Sequence, residues 1–395
     1  MPNVYIVSNY GKLSKKGDTL IYECENYTST IFPFRTDELI FIGRVDITGA
    51  ALSLLMKHQI DTVFLSSNGK FNGKLTFSEK KNVFLRLKQY KLLENYDSRL
   101  LISKKIADSK LKNQITFLYR MNRKNKFASD LISNSIDKIK TLLPYIEQAT
   151  DVQQIRGYEG IGAKNYFAAF GKDIIQDWAI FNGRSRNPPK DNVNAVLSFL
   201  YTLLYQRVDA AIESEDLDPY IGMYHEIDYG KRTLSFDLME EFRVPIVDTL
   251  TISLFNLGIL SKEDFREVEF STESDEYPID GEEKDQSDKE DESREGKEIL
   301  KRKLRKIQIN EDGIEVFGSE NIIDEKISKS TKGVLLNESG LKKCIEGFEK
   351  KMATTLISPF SGKTISYLGL IREQVKGYKR FVNGEESSYK PYQYK

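Results

Sequence analysis

Histidine and cysteine are nearly missing from this chain, at two residues each in 395. The cysteines, Cys24 and Cys344, stand 320 positions apart in unlike contexts, which excludes a disulfide framework and points to reduced thiols in a cytoplasmic protein. No stretch approaches the roughly 18 consecutive apolar residues of a membrane span. The longest near-run, 195–205, is broken by Ser198 and Thr202 and reads as a buried helix. Met1-Pro2-Asn3-Val4-Tyr5 has no charged segment leading into an apolar one, so no secretion signal is expected. Net charge is lacking too, but the balance is uneven. Residues 267–298 hold fifteen acidic and four basic side chains, which leaves +11 on the rest of the chain. A basic body with one acidic block is compatible with a nucleic-acid partner. On charge alone, solvated surface is the simpler reading.

What is present is enough for two or three domains, with 39% apolar residues to fill their cores. Residues 1–88 read as mainly β. Val4–Val7, Thr19–Tyr22, Thr28–Phe32, Leu39–Ile42 and Thr62–Leu65 are short β-branched or aromatic runs, and Asn68-Gly69 is a hairpin turn signal. One helix is expected over Thr48–His58 with Leu52, Leu55 and Met56 on one face, and His58 at its end reads as structural. From about residue 89 the period becomes helical, through Leu101, Ile106, Leu111, Ile115 and Leu118 and then Ser133–Leu143 up to Pro144. Asp151, Asp191 or Asn192, and Ser235 are candidate N-caps. Residues 267–298 are too charged to fold and are expected to be disordered. Leu341, Ile345, Phe348 and Met352 restore a helical stripe with Cys344 beside it as a core thiol, and a last helix spans about 365–382. The expected fold is α+β, a small N-terminal β domain at 1–88 and a larger mainly α-helical domain at 89–395, with an acidic insertion at about 266–331.

Two segments could carry chemistry. Glu159 sits among Gly157, Gly160 and Gly162, and three glycines in six positions predict a helix break or a close approach by another backbone or a substrate. Tyr166 falls two turns further along the same face. His225 precedes Asp237 by twelve residues, and Asp237, Glu240 and Glu241 are spaced i, i+3 and i+4. That spacing brings carboxylates roughly 5–6 Å apart at Cβ. The helix dipole explains Asp237 but not Glu240, one turn on. Repelling carboxylates become favourable when a divalent cation joins them, and carboxylates with one imidazole suit Mn2+ or Mg2+ better than a thiolate-rich zinc site does. Such an ion can stabilise charge on a phosphodiester. Arg156, Lys164, Tyr166, Arg184, Arg186, Lys190, Lys231 and Arg243 are the candidate DNA contacts, since arginine can grip phosphate with two hydrogen bonds.

Taken together, these segments resemble the CRISPR-associated protein 1 family. The resemblance is carried by Phe41–Thr48, Phe64–Gly69, Gly157–Gly160 with Tyr166-Phe167, Pro188–Phe199, His225, and Asp237–Arg243. It implies an endonuclease and integrase that inserts short DNA duplexes into a CRISPR array by transesterification at the repeat ends. It implies a metal site at Glu159, His225 and Glu240 with Asp237 as an accessory carboxylate, and Mg2+ or Mn2+ as cofactor. It also implies a homodimer formed through the β domain and a dimer of CRISPR-associated protein 2 bridging two such dimers on double-stranded DNA. Two alternatives stand beside it: a stand-alone nuclease or transposase-like integrase, and a non-catalytic DNA-binding scaffold of the same fold.

Overall fold

Short runs of β-branched and aromatic side chains, the central ones buried on both faces, build the N-terminal sheet. The structure, a computed structural model, describes residues 3–25, 27–77, 82–124, 129–186, 188–270, 307–309, 315–317 and 331–394. Its first strands are β1 (Val4–Lys16), β2 (Thr19–Glu23), β3 (Thr28–Ile31), β4 (Glu38–Ile47), β5 (Asp61–Leu65) and β6 (Phe71–Leu75), in the spatial order β3-β2-β1-β4-β5-β6. β4 is parallel to β1 and β5, and the remaining neighbours are antiparallel. Successive side chains of a strand point to opposite faces. On β4, Leu39 and Phe41 therefore join Ile6, Leu13 and Leu20 on one face, under helix α1 (Gly49–His58). Ile40 and Ile42 join Val7, Val63 and Leu65 on the other, and that face is continuous with the helical core. The sheet is thus one wall of the larger core. The Asn68-Gly69 turn closes β5 onto β6, with Gly69 at φ +79°.

The helices that follow are α2 (Val83–Glu94), α3 (Tyr96–Lys124), α4 (Ser129–Lys140), α5 (Leu143–Gln148), α6 (Val152–Phe170), α7 (Asn192–Ser214), α8 (Thr233–Phe242) and α9 (Thr249–Asn256), with a π-helical turn at Arg243–Asp248 between the last two. Asp151 and Asp191 cap α6 and α7 as expected, each accepting a backbone N–H three residues on. Beyond α9 come β7 (Phe265–Phe270), a hairpin of β8 (Ile307–Ile309) and β9 (Glu315–Phe317), β10 (Thr331–Leu336), α10 (Glu338–Ala353), a hairpin of β11 (Thr355–Ile357) and β12 (Thr364–Ser366), and α11 (Tyr367–Asn383). Leu341, Cys344, Ile345, Phe348 and Met352 are buried on α10.

Several local expectations need correction. Met56 faces solvent, and α1 buries Ala51, Leu54 and Leu55 instead. Pro144 opens α5, where a missing N–H costs nothing, rather than ending α4. Ser235 lies inside α8 and donates to Asp209 at 2.8 Å, so it caps nothing. Residues 267–270 of the acidic block form strand β7, which pairs antiparallel with β10 from Phe265↔Leu336 to Phe270↔Thr331. The rest of the block expected to be disordered, 271–298, lies outside the described residues.

Candidate active site

Glu159 is presented by α6, which is unbroken through all three glycines. Only Gly162 marks a close approach: a Cβ there would stand 2.5 Å from Leu111 on α3. α3 and α6 therefore pack tightly one turn from Glu159. His225 lies on the loop before α8, and Asp237 holds that loop in place. Its Oδ2 accepts the backbone N–H groups of Met223 at 2.6 Å and Tyr224 at 2.9 Å, and its Oδ1 that of His225 at 2.9 Å. A Cβ on Gly222 would come within 2.8 Å of Asp237 Oδ2, so glycine is what lets the loop lie this close. The loop carbonyls are held from the other side. Arg99 and Ser103 donate to the Met223 carbonyl, and Arg156 donates twice to that of Tyr224 at 3.0 and 2.7 Å.

This cradle orients the imidazole. His225 Nδ1 is 2.7 Å from Asp237 Oδ1. A carboxylate only accepts, so Nδ1 carries a proton, and in the neutral ring Nε2 presents the lone pair. Nε2 faces Glu240 Oε1 at 3.8 Å. Tyr224 and Phe236 flank the ring edge-on, with centroids 5.1 and 5.8 Å away. Asp237 is thus a positioning group for His225. Glu240 and Glu241 are successive residues and so point about 100° apart around the helix. Glu240 turns toward Glu159 and His225. Glu241 turns away into the core, where its Oε2 accepts the N–H of Tyr392 at 2.7 Å and its other oxygen meets the Tyr389 hydroxyl. Burial pushes the Glu241 carboxyl up to about 8.

Lys110 of α3 completes the cluster, and sequence reasoning missed it. Its Nζ lies 2.7 Å from Glu159 Oε1 and 2.8 Å from Glu240 Oε2. Arg243 Nε is 3.1 Å from the same Glu240 oxygen. The available signal was a lysine among Ile106, Ala107 and Leu111 on a buried helix face, which demands a carboxylate partner. The cluster opens on a cavity of about 770 Å3 whose lining includes Lys164, Arg184, Arg186 and Arg243. On its wall Asp248 accepts the hydroxyls of Tyr166 and Tyr201, both at 2.6 Å. Burial raises the Asp248 carboxyl to about 6. Burial lowers Arg184 to about 10, and its guanidinium hydrogen-bonds Asn194 and Ser198.

The candidate DNA contacts therefore divide. Lys164, Arg184, Arg186 and Arg243 share the cavity with Glu159. Lys190 is exposed beyond it, at the start of α7. Tyr166 is a correction: it is fully buried, with its hydroxyl spent on Asp248, and cannot stack on a base. Lys231 is a second, being buried outside the cavity lining. Arg156 lies outside the cavity lining, partly exposed, with its guanidinium on the Tyr224 carbonyl and Glu226.

A mixed sheet walling a helical core, with carboxylates and an imidazole gathered beside a basic cavity, defines the class, an α+β protein with a buried ionic cluster open to that cavity. Comparison with known proteins narrows that class. The family model described as "CRISPR associated protein Cas1" matches residues 4–273, and the chain belongs to that family. A relative from Thermus thermophilus, "CRISPR-associated endonuclease Cas1 3", is 32% identical over 269 residues, 67% of this chain and 78% of its own. The fold matches the structure titled "Casposase bound to integration product" at TM-score 0.73 and 20% identity, over 100% of this chain and 95% of that one. It matches a "Cas6-RT-Cas1--Cas2 complex" chain at TM-score 0.72 and 20% identity, over 99% of this chain and 36% of that one.

Proposed function

We propose that this protein is a divalent-metal-dependent DNA endonuclease and integrase that inserts short duplexes into a CRISPR array in the cytoplasm, as a homodimer assembled with CRISPR-associated protein 2. The observation that carries the reading is the gathering of Glu159 and Glu240 about Lys110, with His225 locked by Asp237 and its Nε2 3.8 Å from Glu240, where Lys110 and Glu159 border a basic cavity. Family membership and the relative named an endonuclease support it. The donor set fits Mg2+ or Mn2+: hard carboxylate oxygens plus one neutral imidazole nitrogen whose other nitrogen is held by a carboxylate. Glu159, His225 and Glu240 would hold the ion. Bound there, it would supply charge stabilisation to the oxygens entering and leaving a phosphorus centre.

The chain's own groups do the rest. Asp237 keeps His225 in the tautomer that can ligate. Lys164, Arg186 and Arg243 bind backbone phosphates and set the phosphodiester against the carboxylates. The 3′-hydroxyl of the incoming duplex then forms the new P–O bond as the bond to the repeat's leaving oxygen breaks. The Phe32 and Phe34 rings, 44% and 58% exposed and 5.8 Å apart, are among the exposed apolar side chains that the β domain offers to a homodimer.

The test is strand transfer. Purified protein, its CRISPR-associated protein 2 and a labelled short duplex are mixed with a plasmid bearing one repeat. Joining at the repeat ends should require Mn2+ or Mg2+ and stop on chelation. Joining that ignores the repeat and the second protein would favour a stand-alone integrase, and joining unaffected by chelation would refute the metal.

A further inference from the structure

Lys110 sits between Glu159 and Glu240 and reaches both. Its Nζ makes 2.7 and 2.8 Å contacts to the two carboxylates. Mg2+ holds oxygen ligands at about 2.0–2.1 Å, so an ion shared by these two groups would need the space the ammonium fills. The rest of the cluster is arranged around that ammonium. Among the described residues no group of three His, Cys, Asp or Glu side chains stands close enough to hold a metal ion as they lie. His225 Nε2 is 3.8 Å from Glu240 Oε1, ready to approach but not drawn in.

We propose that Lys110 is the resident counter-ion of this site: it holds Glu159 and Glu240 together without metal, and it must withdraw before a divalent cation can bind. The inference rests on the metal reading given above. The other groups facing the carboxylates are not equivalent. Arg243 Nε lies 3.1 Å from Glu240 Oε2 and its guanidinium sits over the Tyr201 ring at 4.7 Å, and the Tyr224 hydroxyl is 3.4 Å from Glu159 Oε2. Without Lys110, two acidic groups in a water-poor pocket would repel each other. An exit exists, because Lys110 itself lines the cavity beside Gln114 and Glu159. A long flexible stem lets the ammonium swing there, where a backbone phosphate of DNA could take over its charge. Metal entry and DNA entry would then favour each other through one side chain.

An ordinary structural ion pair makes different predictions from a displaceable one, and metal affinity separates them. The full-length protein, Lys110→Met and Lys110→Arg are titrated with Mn2+ without DNA, followed by calorimetry, and melted with and without Mn2+. Removing a competing unit charge should tighten Mn2+ binding by Lys110→Met on the order of tenfold or more. The same variant should melt below wild type without metal and recover most of that deficit at saturating Mn2+. Lys110→Arg should stay near wild type in both. Equal or weaker binding by Lys110→Met, or a melting deficit that Mn2+ leaves untouched, would overturn the proposal while sparing the metal reading. If Lys110→Met folds only when Mn2+ is added, the proposal stands; if Mn2+ does not restore its fold, the proposal fails. Lack of Mn2+ binding by both wild type and Lys110→Met would sink the metal reading and this inference together.

Discussion

Lys74 and Lys110 both lie between carboxylates inside the molecule, and their surroundings differ. Lys74, on β6, has Glu213 at 2.5 Å, Asp61 at 3.5 Å and Asp209 at 4.0 Å. Arg232 adds contacts to Asp209 at 2.6 Å and Glu213 at 2.8 Å, and Ser235 donates to Asp209. That cluster ties the sheet to α7 and to the start of α8, and none of its residues lines the cavity. Around Lys110 the cluster also contains an imidazole whose Nδ1 is held by Asp237, and Lys110, Glu159 and Arg243 all line the cavity. Buried charge therefore does not by itself mark a site. Access and a ligand-type donor aimed at the same point do.

The comparison breaks if the Lys74 cluster behaves like the other one. Glu213→Ala should cost about 3–5 kcal/mol of stability, because Lys74 and Arg232 are left short of a buried partner. Urea unfolding measures that loss, and the folded fraction should keep its activity. A large activity loss without destabilisation would give Glu213 a role in the chemistry instead.

Asp237→Asn sharpens the contrast from the other side. An amide cannot accept from three backbone N–H groups and the imidazole as the carboxylate does. Mn2+ affinity and strand transfer should each fall roughly 10- to 100-fold, the usual cost of losing a group that orients a ligating histidine. An unchanged affinity would show that His225 needs no such hold.

Glu241, next to Glu240, should show its difference in pH dependence. Its carboxyl is raised to about 8 by burial, from 4.5 as the ordinary value. A folded state that binds the proton more tightly loses stability as pH rises between those two values. That loss is at most about 1.4 kcal/mol per pH unit. Glu241→Gln should flatten the fall between about pH 5 and 8 in a series of melts. A variant as pH-sensitive as wild type would place the titration elsewhere. The smallest effect concerns the cavity wall. Changing Arg184 and Arg186 together to Ala should lower the slope of log DNA affinity against log salt by about one unit for each phosphate no longer gripped. An unchanged slope would remove both from the DNA interface.

Much of this was legible in the sequence because it is local. The caps Asp151 and Asp191, the Asn68-Gly69 turn and the Leu341–Met352 stripe are set by neighbours within a few positions. The i, i+3 relation of Asp237 and Glu240 likewise put on one helix face the two carboxylates that meet His225. What was not legible depends on contacts distant in sequence. Lys110 meets Glu159 and Glu240 only after α3, α6 and α8 pack together. The pairing of β7 with β10 joins Phe265 to Leu336 across the acidic block. The C-terminal tail straps α3 to α8: Tyr392 is buried against Glu241, and its carbonyl accepts from Ser109 and Asn113. Tyr166 shows the opposite error, a residue on the expected helix that packs inward because Asp248 gives its hydroxyl a buried partner.

The central claim is that the Lys110 cluster carries the chemistry and the Lys74 cluster carries the fold. Strand transfer into a repeat-bearing plasmid in Mn2+ tests it most directly, with Glu240→Gln and Glu213→Gln run side by side at equal folded concentration. The account predicts that Glu240→Gln gives no joined product while still binding DNA, and that Glu213→Gln joins near the wild-type rate. Near-normal joining by folded Glu240→Gln would contradict it.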